Sequence, residues 1–269
     1  MTKLCATYSS HLIDLDHDPE VEFQYIRLGN WHEPALVDEA FTAFWDRTFL
    51  YHHNGNVPHD KVDRRIFAES LNDWQRRTDC PWLSFHLDYH REDEIRQILR
   101  GERKPPLYDE QDAFDLLCDG VRQVQRQVDA PLILENMPSW PLPYPCLEAS
   151  PDFVWRALEA TGCGFLLDTE HARMTAGTLG LDLYDYMAAL PLNRVVEMHV
   201  SSPRYLGEKW HNSHEVLEEQ DYAIVVWLLE RTMPRAITLE YWRDRNQIRD
   251  QLVRLKELIS SCGNVMPQV

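Results

Sequence analysis

The chain has 269 residues, 44% hydrophobic and 11% aromatic, enough for one large α/β barrel or two small domains and too apolar for a disordered chain. Its 44 acidic against 27 basic residues leave a formal net charge of −17, which repels a phosphate backbone and argues against nucleic-acid and anionic-membrane partners. The opening MTKLCATYSS lacks an apolar signal core, no run approaches a membrane span, and the six scattered cysteines form no C-x-x-C pair, so a reduced, cytoplasmic protein is expected.

Short apolar runs of strand composition alternate with helical patterns along the chain. Strands are expected at Leu4–Ser9, Phe23–Leu28, Phe49–His53, Trp82–Leu87, Leu132–Glu135, Phe165–Asp168, Val195–Val200 and Ile237–Tyr241. Residues 88–108 read as a small helical insertion and 110–128 as a helix. A further helix at 151–161 is opened by Ser150 as a cap and Pro151 in its first turn, and is stopped by Gly162. Residues 216–231 and 246–260 are helical patterns, while the proline-rich 137–150 and the polar 201–215 read as long loops. Eight strands alternating with helices suggest a single α/β domain over 1–269, a parallel (β/α)8 barrel of the TIM type. A doubly wound open sheet competes with it, but no G-x-G-x-x-G or G-x-x-x-x-G-K motif favours that alternative.

The ionisable residues fall at the ends of these runs. FLYHH ends in His52 and His53, WLSFH in His86, PLILEN in Glu135 and Asn136, and GFLLDTEH in Asp168 and His171. VVEMH ends in His199 and AITLE in Glu240, and His214 follows in the 201–215 segment. In a (β/α)8 barrel the strand C-termini form the active face, whereas the strand starts here (Pro81, Pro131, Arg194, Arg235) are ordinary. A buried, uncompensated carboxylate or imidazole costs several kcal/mol, so a series of them calls for a shared partner. Imidazole with carboxylate oxygen and no thiolate suits Fe, Mn or Zn, and eight ligands fit two or three ions. By strand alternation only one of His52 and His53 can face the site, and His52 is preferred. The structural alternatives are Asp168 as a simple helix cap, Glu135 paired with a neighbouring arginine, and a surface role for at least one of His211 and His214. His11, His17, His32, His59 and His90 receive no role.

With LENMP, LLDTEHA, EMHVSSP and TLEYW as the best local matches, the series resembles the multinuclear non-heme iron-dependent oxidases, the family that includes the enzyme of methanobactin biosynthesis. It is more distantly similar to xylose-isomerase-like barrels and the trinuclear-zinc endonucleases. The resemblance implies a xylose-isomerase-like barrel holding two or three Fe ions in mixed Fe(II)/Fe(III) states, with O2 as co-substrate. Such enzymes oxidise cysteine residues, typically in ribosomally made peptides of natural-product biosynthesis, often with a separate recognition protein. Carried over, the iron ligands are His52, His86, Glu135, Asp168, His171, His199, His214 and Glu240, with Asn136 beside them. Two positions depart from the family pattern: Phe85 stands where Glu usually precedes the second histidine, and Asn212 stands where Asp usually opens D-x-H.

The expected function is therefore an iron- and O2-dependent oxidase acting on a cysteine-containing peptide or small thiol. A divalent-metal sugar isomerase or epimerase is the alternative, a metal phosphodiesterase the third reading, and a non-catalytic metal-binding or partner-docking barrel the fourth.

Overall fold

The computed structural model describes residues 1–56, 64–90, 92–104, 107–139 and 146–262. His59 and the tip of the proline-rich segment, 140–145, lie outside the described residues. The strands are β1 (Lys3–Thr7), β2 (Tyr25–Gly29), β3 (Thr48–Asn56), β4 (Leu83–His86), β5 (Leu132–Glu135), β6 (Gly164–Asp168), β7 (Val195–Val200), β8 (Ser202–Leu206), β9 (Lys209–Glu215) and β10 (Ala236–Leu239). All eight expected strands are present, and they close into one parallel barrel in the order β1-β10-β7-β6-β5-β4-β3-β2. Helices cover its outside, as expected for a xylose-isomerase-like (β/α)8 barrel. Among the described residues no helix is long and apolar enough to cross a membrane.

Alternation within each strand sorts the side chains into two layers. One parity, including Leu4, Ile26, Leu83, Phe85, Leu134, Phe165, Leu167, Met198 and Ile237, joins the large apolar core beneath the helices. The other parity supplies a small separate cluster, Cys5, Leu50, Trp82, Ile133, Leu166 and Ala236, that plugs the barrel interior near the strand starts. Each leucine or isoleucine of the plug contributes roughly 1.5–3 kcal/mol when fully buried. Counting on by twos from the plug leads from Leu50 to His52, from Trp82 through Ser84 to His86, and from Ile133 to Glu135. The same step leads from Leu166 to Asp168 and from Ala236 through Thr238 to Glu240. The parity that fills the plug thus delivers the polar residues to the rim.

The expected helices form at Glu110–Gln125, Pro151–Thr161, Glu219–Leu229 and Arg245–Cys262, and the 88–108 segment contains one at Glu92–Leu99. Gly162 ends the second of these in the left-handed region, at φ 71°, but the Ser150 side chain makes no capping hydrogen bond. One expectation is corrected: 201–215 is an antiparallel hairpin, β8 with β9, and not a loop. Gly207 (φ 57°) and Glu208 (φ 63°) both take positive φ between the paired Leu206 and Lys209, the signature of a two-residue type I′ turn. The hairpin leans on the helix Thr169–Leu179, where a Cβ at Gly177 would stand 2.3 Å from Trp210 Nε1, so only glycine admits that indole.

Candidate metal centre

Six of the eight candidate residues are buried: His52, Glu135, Asp168, His171, His199 and Glu240 are 0–3% exposed, while the His86 side chain is half-buried at 16%. His214, on β9, is partly exposed. The geometry brings all eight to one rim. His52 Nε2 lies 3.3 Å from both His86 Nε2 and Glu135 Oε2, and His86 Nε2 lies 3.5 Å from the same oxygen. His199 Nδ1 is 3.3 Å from Glu135 Oε1, 3.3 Å from Glu240 Oε1 and 4.0 Å from Asp168 Oδ2. His171 Nδ1 is 3.7 Å from Glu135 Oε1, and His214 Nδ1 is 3.4 Å from Glu240 Oε2. His53 points the other way, stacked on Phe85 at 5.4 Å within the outer layer, as strand alternation requires.

Hydrogen bonds fix which atoms are free. Ser84 Oγ donates to Tyr51 O at 3.0 Å, so it must accept from His52 Nδ1 at 2.9 Å. His52 Nε2 therefore presents a lone pair toward Glu135. His171 Nδ1 lies 2.8 Å from Asn136 O, which can only accept, so its Nε2 is likewise a lone pair, beside Asn212 Nδ2 at 2.9 Å. Asn136 itself faces the backbone: it accepts from Asp168 N at 2.8 Å and donates to Asp168 O at 3.1 Å, locking β5 to β6. Asp168 does cap the following helix, with Oδ1 accepting from His171 N at 2.7 Å. Its other oxygen remains for the rim, so the capping and site readings hold together.

Four residues that sequence reasoning passed over complete the site. Arg27, inside the β2 run, pairs with Glu240 at 2.8 Å and stacks over Trp31. Glu170, within the DTEH motif, accepts from the backbone N–H groups of Ser213 (2.7 Å) and His214 (3.2 Å) and so pins the end of the hairpin. His214 sits there at φ 46°, a sparsely populated conformation for a non-glycine residue. Glu197 lies 3.3 Å from His199 Nε2 and is itself held by Trp82 Nε1 at 2.7 Å. His32, given no role, lines the cavity above the rim. His211 stays on the outside of the hairpin, exposed.

The electrostatics describe an interior in which protons stand in for cations. Burial holds His52 and His86 below the ordinary imidazole range. Burial alone would raise Glu135, but His52 and His199 keep its carboxyl well below the usual range. Burial and the charges of Glu240 and Glu135 push Asp168 well up. Burial opposes charging His199, yet Glu240 and Glu135 overcome it and bring its pKa to about 9. Burial likewise opposes charging His214, which Glu240 and Glu170 push up to about 10.

The donor set fits a metal. Glu135 Oε2, Asp168 Oδ2, Glu240 Oε2 and both His199 nitrogens are buried without a hydrogen-bond partner. Each orphaned group costs about 1–3 kcal/mol unless something answers it. Three overlapping groups have ligand atoms within 4.8 Å of one another: His52–Glu135–His199, Glu135–Asp168–His171 and Asp168–His199–Glu240. They share Glu135, Asp168 and His199, and a carboxylate offers two oxygens, so neighbouring cations can be bridged. Clusters of this kind under a cavity of about 530 Å³ on a closed barrel are the equipment of a metal-dependent enzyme.

Residues 6–260 match a family model described as the RiPP precursor modification enzyme MbnB/TglH/ChrH. The chain is 33% identical over 266 residues to a UPF0276 protein of Bordetella parapertussis, an alignment covering 93% of this chain and 86% of that one. It is also 33% identical to one of Bordetella pertussis over 70% of this chain and 64% of that one. Among solved structures it is similar to a D-tagatose 3-epimerase-like protein, with a TM-score of 0.60, 15% identity, and coverage of 97% and 98% of the two chains. It is similar too to the probable 3-DHS dehydratase AsbF of petrobactin synthesis from Bacillus anthracis, with a TM-score of 0.61, 12% identity, and coverage of 95% and 99%. At these identities the two structures establish the fold alone.

Proposed function

Because the chain belongs to the MbnB/TglH/ChrH family of RiPP precursor modification enzymes, we propose that its rim holds two or three iron ions and uses O2 to modify a cysteine-containing peptide or small thiol. The observation that carries this reading is the convergence of buried, unpartnered carboxylate and imidazole atoms shared among three overlapping groups. His52, His86, Glu135, Asp168, His171, His199, His214 and Glu240 would hold the metal, and bound iron would supply one-electron chemistry with O2.

The chain's own residues define the rest. Arg27 keeps Glu240 anionic without occupying its second oxygen. Glu197 lies 3.3 Å behind His199 Nε2, leaving Nδ1 to face the carboxylates. Trp31 and Trp242, 39% and 38% exposed, wall the cavity mouth and offer flat apolar surface to a peptide. Asn212 and His214 close the cavity from the hairpin side, so β8–β9 positions both the site and whatever enters it. A recognition protein that presents the peptide is part of this proposal.

The second reading is a divalent-metal sugar isomerase or epimerase. It is favoured by the fold shared with the D-tagatose 3-epimerase-like structure, and Glu135, Asp168, His199 and Glu240 would serve it with fewer ions. Metal analysis and Mössbauer spectroscopy of protein purified without oxygen separate the two, together with turnover assays. The oxidase reading expects more than one iron per chain and O2 uptake with cysteine peptides or small thiols. Oxygen-independent turnover of a keto sugar with a single divalent ion would overturn it in favour of the epimerase.

A further inference from the structure

A second group of buried ligand-type side chains shares no residue with the three overlapping groups, although its first member follows the rim residue His86 by two positions. Asp88 and His90 follow the end of β4, and Glu148 lies in the 3-10 turn Leu147–Ala149, ahead of the helix Pro151–Thr161. They are 5%, 6% and 1% exposed, and one ligand atom from each lies within 4.8 Å of the others. His90 Nδ1 is 2.7 Å from Asp88 Oδ1 and 3.8 Å from Glu148 Oε1. Asp88 Oδ1 also accepts the His90 backbone N–H at 2.8 Å, which fixes the carboxylate in place. Glu148 Oε2 and His90 Nε2 are buried with no hydrogen-bond partner among the described residues.

We infer that Asp88, His90 and Glu148 form a separate binding site for one divalent cation of the zinc type, tying the end of β4 to the turn that closes the proline-rich segment. Two carboxylates and one imidazole are an oxygen–nitrogen set that suits zinc, with bonds of about 2.0–2.2 Å. The His90 Nδ1 separations of 2.7 Å to Asp88 and 3.8 Å to Glu148 straddle the edge of roughly 3.3–3.6 Å that tetrahedral zinc with such bonds sets, so taking up an ion requires small side-chain shifts. A histidinium is the plainer partner, but it brings one positive charge to two buried carboxylates, and it leaves Glu148 at 3.8 Å with one oxygen bare. Nor does the neighbouring Glu94 help, since its carboxylate is taken by Tyr108 at 2.7 Å and Arg103 at 3.4 Å.

The inference does not depend on the chemistry proposed for the rim, and its test separates the two. Full-length protein is stripped with chelator and refilled with Zn²⁺ alone. Zinc equivalents per chain are then counted for wild type, Asp88→Asn, Glu148→Gln and the rim variant Glu135→Ala. Each of the first two variants should bind one equivalent fewer than wild type and keep its rim metal, while Glu135→Ala should lose rim metal and retain the equivalent at Glu148. Anomalous scattering at the zinc edge from wild-type crystals, which needs no variant to fold, should place a peak among Asp88, His90 and Glu148. Unchanged zinc counts in both variants, or rim peaks without one at this cluster, would overturn the site and leave a histidinium–carboxylate cluster.

Discussion

The two ends of the barrel interior treat buried charge in opposite ways. Near the strand starts, Glu197 accepts from Trp82 Nε1 at 2.7 Å and Thr238 Oγ1 at 2.6 Å, next to the plug of Cys5, Leu50, Ile133, Leu166 and Ala236. At the strand ends Glu135, Asp168 and Glu240 each keep one oxygen without a partner. All four carboxylates are equally buried, at 1–2% exposure. Burial therefore does not distinguish scaffold from site; what distinguishes them is whether neighbouring groups satisfy every polar atom.

That contrast is open to breakage at either end. The largest effect is expected for Glu135→Ala, which removes the residue shared by two of the overlapping groups. Metal content should drop by at least one equivalent, and turnover should fall by more than the roughly 10–100-fold typical of losing an outer-shell partner. Retained metal and activity would break the comparison outright.

The same Glu/Asp-to-amide exchange should act with opposite sign at the two ends. In metal-free protein Glu197→Gln should destabilise by about 1–3 kcal/mol, because the amide N–H group faces either Trp82 Nε1–H or the charged His199 Nε2–H. Asp168→Asn should instead raise the metal-free melting midpoint at neutral pH. The raised pKa of folded Asp168 means that folding there must take up a proton that the unfolded chain has lost. The gain should shrink as pH falls to the ordinary carboxylate range, where both states are protonated. Asn can still cap the helix, so thermal unfolding with and without metal reads the two terms separately.

Smaller effects sharpen the picture. Asn212→Asp replaces the amide that now bonds to His171 Nε2 with a carboxylate and should tighten metal binding on the hairpin side by about tenfold, roughly 1.4 kcal/mol, in competitive chelator titrations. Trp82→Phe removes a donor from Glu197 and should cost about 1–3 kcal/mol of stability with metal content unchanged.

The rim was legible because its residues end apolar runs, where one charged side chain stands out against Leu, Ile and Val. The same rule hid the supporting residues. Arg27 and Glu197 lie inside the runs YIRLG and VVEMH, and Glu170 is masked between Asp168 and His171. Only register and pairing show which way they point. Asp88, His90 and Glu148 sit beyond strand ends on separate connections, so nothing in their spacing announces that they meet. The hairpin was missed because SPRYL and KWHNSHE are polar on both faces, and its turn, Gly207-Glu208, is outside the common Asn-Gly and Asp-Gly pairs.

The most direct test of the central claim is anomalous diffraction at the iron edge from crystals of oxygen-free, iron-loaded protein. At least two peaks are expected, bounded by His52, Glu135, Asp168, His199 and Glu240. An iron-loaded crystal with no peak at this rim, and with those side chains paired to one another, would contradict the claim.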